Sequence, residues 1–348
     1  MKLSDLYSVL VEVDQDGIPH NIPNARYGKW ETNSLGFRGK EIGSEKKEGH
    51  IRILCFGVSE SFGFYESKDK EWPSQLREIL SNKFPRVEVI NASVVGLNLK
   101  KNKGYAEKYL LSLKPDIMVI VQTYLIYIKE LMRGGKREPS VNKVNGKKAR
   151  NLKEEVDEKW VGYDLTKIRR LGSVLPKFGE TIERCLGERF STRIRLWRLR
   201  GRIRKKEKKH LIQKKPMDEV PENIILEFER DFKLFVHYLK ENHVIPVLST
   251  YPALITQHNK DIHESILLAT RLTFCIELSE EGVLDATQKA NDAVRRIARD
   301  ENLVFIDIDH LIPKTLEYFG DNFHYTDKGS EFIAKTFYDL LNHHQLIK

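Results

Sequence analysis

Two short stretches, far apart in this chain, carry residue types that can do nucleophilic chemistry together. The first is Gly57-Val58-Ser59-Glu60-Ser61-Phe62-Gly63, directly after the apolar run Ile53-Leu54-Cys55-Phe56. The second is Asp321-Asn322-Phe323-His324, close to the C-terminus. A serine hydroxyl on a turn after a buried strand becomes a nucleophile when an imidazole takes its proton. A histidine three residues after an aspartate can draw orientation and charge stabilisation from that carboxylate. Neither stretch is specific alone. Ser59 is also what an ordinary turn would hold, Ser61 is a rival nucleophile, and His324 stands just before a helix start at 326–328. The pairing has meaning only in a fold that brings 59 and 324 together.

The pattern between them supplies such a fold. The chain has 348 residues, 40% of them hydrophobic, enough for one large domain or two modest ones. Apolar runs predict strands at 51–56, 87–90, 117–121, 244–248 and 303–306. Helical spacing falls between them: from Trp72-Pro73 with Leu76, Ile79 and Leu80 on one face, over 100–113, over 222–242 with Ile225, Phe228, Phe232 and Phe235, over 285–300 and over 328–341. Strands alternating with helices imply an α/β domain with a central parallel sheet. Such sheets carry their sites at the carboxyl ends of the strands. Ser59, Gly96, Tyr124, Leu125, Asp321 and His324 all follow predicted strands and fall on that edge. Residues 1–50 read as an irregular lead-in packed on a domain spanning 51–348.

Charge is uneven. Lys and Arg number 59 against 50 Asp and Glu, a formal net charge of +9, and much of the excess lies between Arg133 and Lys215. Residues 129–221 read as a basic insertion with short helical pieces. Within it, 193–206 alternates basic and apolar residues around Trp197. Three readings stay open: a solvated helix, peripheral contact with an anionic membrane or acidic polymer, and nucleic-acid phosphate contact. A specific nucleic-acid partner is not expected, with one aromatic and no binding module. No apolar stretch reaches the roughly 18 residues of a membrane span. Met1-Lys2-Leu3-Ser4-Asp5 has no apolar signal core, so the expectation is a cytoplasmic protein, with the inner membrane face as its peripheral contact if 193–206 binds lipid. Cys55, Cys185 and Cys275 lack zinc-like spacing, as do His237, His243, His258 and His263, so no metal site is expected. The glycines at 57 and 63 are not spaced as a dinucleotide fingerprint.

With these residues in hand, the chain resembles the SGNH hydrolases, also called GDSL esterases or lipases, as a divergent bacterial member. Gly57 to Gly63 is similar to the family's first block, Asn91-Ala92-Ser93-Val94-Val95-Gly96 to its second, and Asp321 to His324 to its last, followed by Tyr325-Thr326-Asp327-Lys328-Gly329. Asn33-Ser34-Leu35-Gly36-Phe37-Arg38-Gly39 is similar to the lead-in of bacterial members. The resemblance spans 33–121 and 222–341 and omits the insertion. It implies a three-layer α/β/α, flavodoxin-like fold and a serine esterase without cofactor or metal. Ser59 is then the nucleophile, His324 the base, Asp321 its partner, and the backbone N–H groups of Ser59 and Gly96 the oxyanion hole. It also implies an acyl-ester substrate, a small molecule or a polysaccharide, with hydrolysis or transfer of an O-acyl group on a carbohydrate or cell-surface polymer. Two positions depart from the family. Val58 replaces an aspartate, so the turn under Ser59 must be held by another group. The asparagine of the third block falls at Leu125, which cannot donate to an oxyanion. Tyr124, Gln122 and Asn98 are the candidate replacements. The rival expectation is a catalytically impaired relative acting as a binding or assembly factor.

Overall fold

The computed structural model describes residues 3–134 and 216–347. The basic stretch 193–206, with its membrane-contact reading, lies outside the described residues. At the centre is a five-stranded parallel sheet in the order β6-β5-β7-β8-β9, formed by β5 (Ile51–Phe56), β6 (Val87–Asn91), β7 (Ile117–Val121), β8 (Ile245–Ser249) and β9 (Val304–Ile306). Every residue of β7 is buried, as expected of a strand covered on both faces, and its Ile-Met-Val-Ile-Val sequence meets that demand.

Side-chain alternation along β5 shows the two covering layers. Phe56 packs its ring 5.5 Å from Phe235 and 6.2 Å from Tyr105, on the helices α6 (Glu222–Glu241) and α4 (Leu99–Tyr105). The preceding side chain, Cys55, lies instead within electrostatic reach of Arg77 and Glu71. Arg77 belongs to α3 (Trp72–Lys83), which packs against α10 (Asp327–His343) with Trp72 and Phe337 rings 5.0 Å apart. Helix α6 buries Ile225, Phe228, Phe232, Phe235 and Leu239 and leaves Leu226 and Leu234 exposed, the stripe its sequence spacing predicts. It packs on α4, on α5 (Leu125–Met132) and on α8 (Glu280–Asp300).

Three elements differ from the sequence expectation. The single helix over 100–113 is α4 followed by a π turn at Ala106–Leu110 and a 3₁₀ turn at Leu111–Leu113, a course that keeps Tyr105, Ala106, Leu110 and Leu113 all buried. Lys114, in the left-handed region at φ 51°, stops it before Pro115. An unanticipated helix α7 (Glu264–Phe274) contains Thr270, whose hydroxyl bonds back to the Ile266 carbonyl at 2.9 Å, so a weak helix former is satisfied within the helix. The lead-in is not irregular throughout: it forms α1 (Leu3–Leu10) and the antiparallel pairs β1 (Val11–Val13) with β2 (Pro19–Asn21) and β3 (Arg26–Tyr27) with β4 (Trp30–Glu31). It is pinned to the sheet edge. Trp30 Nε1 donates to the Gly63 carbonyl at 2.7 Å, and Asn21 Nδ2 donates to the Ser93 carbonyl at 3.0 Å.

Candidate active site

Strand β5 ends at Phe56, and the chain turns sharply into a one-turn helix α2 (Ser59–Phe62), with Ser59 its first residue. Gly57 permits the turn: a Cβ there would lie 2.3 Å from Ser61 Oγ, closer than any side chain tolerates. The aspartate missing at Val58 is replaced by the carboxylate of Glu60, whose Oε1 accepts the Val58 N–H at 2.9 Å. Asn91, at the end of β6, donates its Nδ2 to the Ser61 carbonyl at 3.0 Å and ties the neighbouring strand to the elbow. Ser61 itself is fully buried with an unpartnered hydroxyl under Gly57, away from the histidine, so it is no rival to Ser59.

His324 reaches Ser59 across 265 positions of sequence: Nε2 lies 2.8 Å from Ser59 Oγ. On the other side of the ring, Nδ1 lies 2.9 Å from Asp321 Oδ2. Asp321 Oδ1 accepts the backbone N–H groups of Phe323 and His324, each at 2.9 Å, so the loop's own main chain aims the carboxylate. The imidazole is 5% exposed and packs 4.9 Å from the Phe64 ring, fixing its plane.

Burial opposes ionisation of Asp321, yet the His324 charge, its hydrogen bond and the two backbone donors outweigh it and hold the carboxyl down at about 2. His324 is likewise desolvated, but attraction to Asp321, its hydrogen bond, and the nearby Glu60 and Glu66 carboxylates raise it above its ordinary 6.5. Two buried acids flank the pair. Burial pushes Glu60 up to about 7, against the pull of the Val58 N–H, its own N–H, His324 and Tyr251. Glu66 is also pushed up to about 7 by burial, and it accepts a hydrogen bond from Ser330 Oγ at 2.6 Å.

Gly96 stands in the loop after β6 with φ +81°, the left-handed region a turned backbone donor needs. A side chain at this position would meet the Tyr7 ring from α1, its Cβ 2.9 Å from Tyr7 Cε2. None of the three replacements considered for the missing asparagine is free. Tyr124 Oη bonds Thr287 Oγ1 at 2.5 Å beneath the surface. Gln122 accepts from Asn102 at 2.6 Å and donates to the Thr123 carbonyl at 2.8 Å. Asn98 caps α4 through the Lys100 N–H at 3.0 Å and donates to Glu130 at 2.5 Å. Each amide or hydroxyl is consumed by core or cap, which sequence position alone does not show.

The cleft is walled by Val58, Ser59, Thr123, Leu125, Ile126, Tyr251, Phe274, Phe323 and His324. It encloses about 290 Å³ with its open mouth. Leu125 does face it, as apolar wall. Thr123, Tyr251 and Phe274 had no motif to announce them, whereas Phe323 lies inside the Asp321–His324 block. For Tyr251 one signal was present: it follows a predicted strand, on the edge where α/β sheets build sites.

No family model matches this sequence, and no curated protein matches it. Solved structures do. The chain is similar to an acetyl xylan esterase, AlAXEase, at 13% identity, covering 83% of this chain and 98% of that one, with a TM-score of 0.45. It is similar to a lipase/acylhydrolase from Enterococcus faecalis at 12% identity, covering 86% and 97%, with a TM-score of 0.45. It is similar to a catalytic mutant of an acetylxylan esterase from Geobacillus stearothermophilus at 12% identity, covering 85% and 96%, with a TM-score of 0.44. These likenesses are distant, and the chemistry of the Ser59 cleft has to be read from its own atoms.

Proposed function

We propose that this chain is a divergent SGNH-type serine ester hydrolase, with Ser59 as nucleophile, His324 as general base and Asp321 as the carboxylate that orients and charges the imidazole. One observation carries the reading: a single imidazole spans Ser59 Oγ at 2.8 Å and Asp321 Oδ2 at 2.9 Å. That distance to the hydroxyl is within proton-transfer reach, and the carboxylate selects the tautomer whose Nε2 accepts. The narrow, apolar cleft favours a short acyl group such as acetyl over a long fatty chain. An O-acyl group on a carbohydrate or cell-surface polymer, hydrolysed or passed to an acceptor alcohol, fits a site with a small apolar acyl pocket. In the reaction, Ser59 Oγ attacks the carbonyl carbon and His324 receives its proton. The same proton then leaves with the alcohol, and water attacks the acyl-serine by the reverse path.

The test is covalent labelling with a fluorophosphonate together with hydrolysis of p-nitrophenyl esters. The expected result is one label at Ser59, absent in Ser59→Ala and in His324→Ala, with acetate turned over faster than octanoate. A second reading is favoured by Leu125: with the Gln122 carboxamide bound to Asn102 and the Thr123 carbonyl and none at position 125, the cleft serves only to hold an acyl ester, as part of a binding or assembly factor. Absence of both labelling and turnover, with retained binding of an acetylated sugar, would support that reading instead.

A further inference from the structure

An oxyanion at Ser59 needs hydrogen-bond donors aimed at it before the reaction begins. The Ser59 N–H is one, since the first residue of a helix has no intrahelical acceptor. The family-like third position holds Leu125, and Tyr124, Gln122 and Asn98 are engaged elsewhere. A donor is nonetheless built into the wall, from a different strand. Tyr251 follows β8, the direct neighbour of β7, and lines the cleft beside Ser59 and His324.

Tyr251 is held rigidly. Its backbone is clamped on both sides by one side chain: its N–H donates to Asn291 Oδ1 at 2.8 Å and its carbonyl accepts from Asn291 Nδ2 at 3.1 Å. Its ring packs 5.4 Å from Tyr124 and 5.3 Å from Phe323. Thr123 stands with it in the same cleft wall. The phenol hydroxyl donates to Glu60 Oε2 at 3.4 Å, long for an O–H···O bond, so a closer anionic acceptor can take it over. Glu60 is the residue after the nucleophile, so this hydroxyl sits at the elbow itself.

We propose that the Tyr251 hydroxyl is the side-chain oxyanion donor of this site, replacing the carboxamide that Leu125 cannot supply. The proposal rests on the serine-hydrolase reading above. As Ser59 Oγ bonds to the carbonyl carbon, the π electrons move to the carbonyl oxygen and the serine proton moves to His324 Nε2. The new oxyanion accepts from Tyr251 Oη–H, which keeps its proton throughout. When the oxyanion collapses, the bond to the alcohol oxygen breaks and His324 returns the proton to it. Burial raises the Tyr251 phenol well above its ordinary range, with the Glu60, Tyr325 and Tyr124 groups adding to the shift, so it stays a neutral donor at working pH.

The experiment compares wild type with Tyr251→Phe, which keeps the ring. The expected result is a fall in kcat for p-nitrophenyl acetate of about 10²-fold, the scale of one lost oxyanion donor. KM should stay within about threefold, and fluorophosphonate labelling should slow in parallel. Unchanged kcat in Tyr251→Phe, with an active wild type, overturns this proposal alone. A wild type that neither turns over nor labels at Ser59 overturns the esterase reading and this proposal together. If Tyr251→Phe also lowers the melting temperature, adding Leu125→Asn decides. A gain of about tenfold or more in kcat supports a lost donor, because a carboxamide then stands where the family places it. No gain means that Tyr251 only packs, and overturns the proposal.

Discussion

On the proposed mechanism, His324 takes the Ser59 proton only with its ring neutral, so protonation of the ring stops the reaction. Its folded pKa lies above 6.5, because Asp321, Glu60 and Glu66 together outweigh the desolvation of the ring. Activity is therefore lost as pH falls through that raised value and is full above it. We expect the acid limb of kcat/KM to have its midpoint above 6.5, measured with a neutral ester substrate. Asp321→Asn removes the carboxylate nearest the ring, so the midpoint should move down. The same change should lower kcat by about 10³–10⁴-fold, because the wrong tautomer is then stabilised. The stability linkage has the opposite course. A histidine raised on folding contributes stability below its unfolded pKa, and that contribution disappears as pH rises through the folded value. On that mechanism the ring carries its structural charge at acid pH and its function at higher pH, a conflict set by the same Asp321 contact.

At the scale of elements, the sheet works as a rigid bench and the helices as its cover. Helix α6 is the clearest case, with Phe232 fully buried in the middle of its apolar stripe. Phe232→Ala should cost about 3–5 kcal/mol in urea unfolding through lost transfer energy and a residual cavity. A variant still folded at low denaturant should keep its KM, since Phe232 does not line the cleft. Elements of this kind were legible because burial leaves a periodic trace: the five strands and helices α3, α6, α8 and α10 each write their covered faces into apolar spacing. Ser59, Asp321 and His324 were legible for another reason, since a turn glycine and a three-residue spacing are local constraints on chemistry. What could not be read was the fate of polar groups with partners distant in sequence. Tyr124 finds Thr287, Gln122 finds Asn102, and Glu60 takes over from a missing aspartate at Val58. Helix α7 was illegible because its threonine is satisfied by its own backbone, a bond that leaves no periodic mark.

Across the whole molecule, the lead-in and the sheet domain meet around a charge that water cannot reach. Arg38 is 3% exposed, and its Nη2 lies 3.5 Å from Oε2 of Glu71, itself fully buried at the start of α3. The guanidinium lies 5.1 Å from the Phe62 ring, on the helix that begins with Ser59, while its Nε and Nη1 find no hydrogen-bond partner among the described residues. Glu71 has a second partner in Ser74 Oγ, at 2.5 Å. A buried pair with such long geometry is poor compensation for two desolvated ions, yet removing one member leaves the other stranded. Arg38→Met should therefore destabilise by about 3–5 kcal/mol in chemical denaturation. The double variant Arg38→Met, Glu71→Met should recover most of that loss, because no uncompensated charge remains and the two apolar chains can pack on Phe62 and Trp72. Additive losses in the double variant would mean that the two ions act separately, and that Trp30 and Asn21 rather than this pair hold the lead-in against the elbow. The location makes the outcome matter for catalysis. Phe62 closes the one-turn helix that begins with Ser59, so on the proposed function Arg38→Met is also expected to lower kcat for p-nitrophenyl acetate, and an unchanged kcat would separate this ion pair from the site.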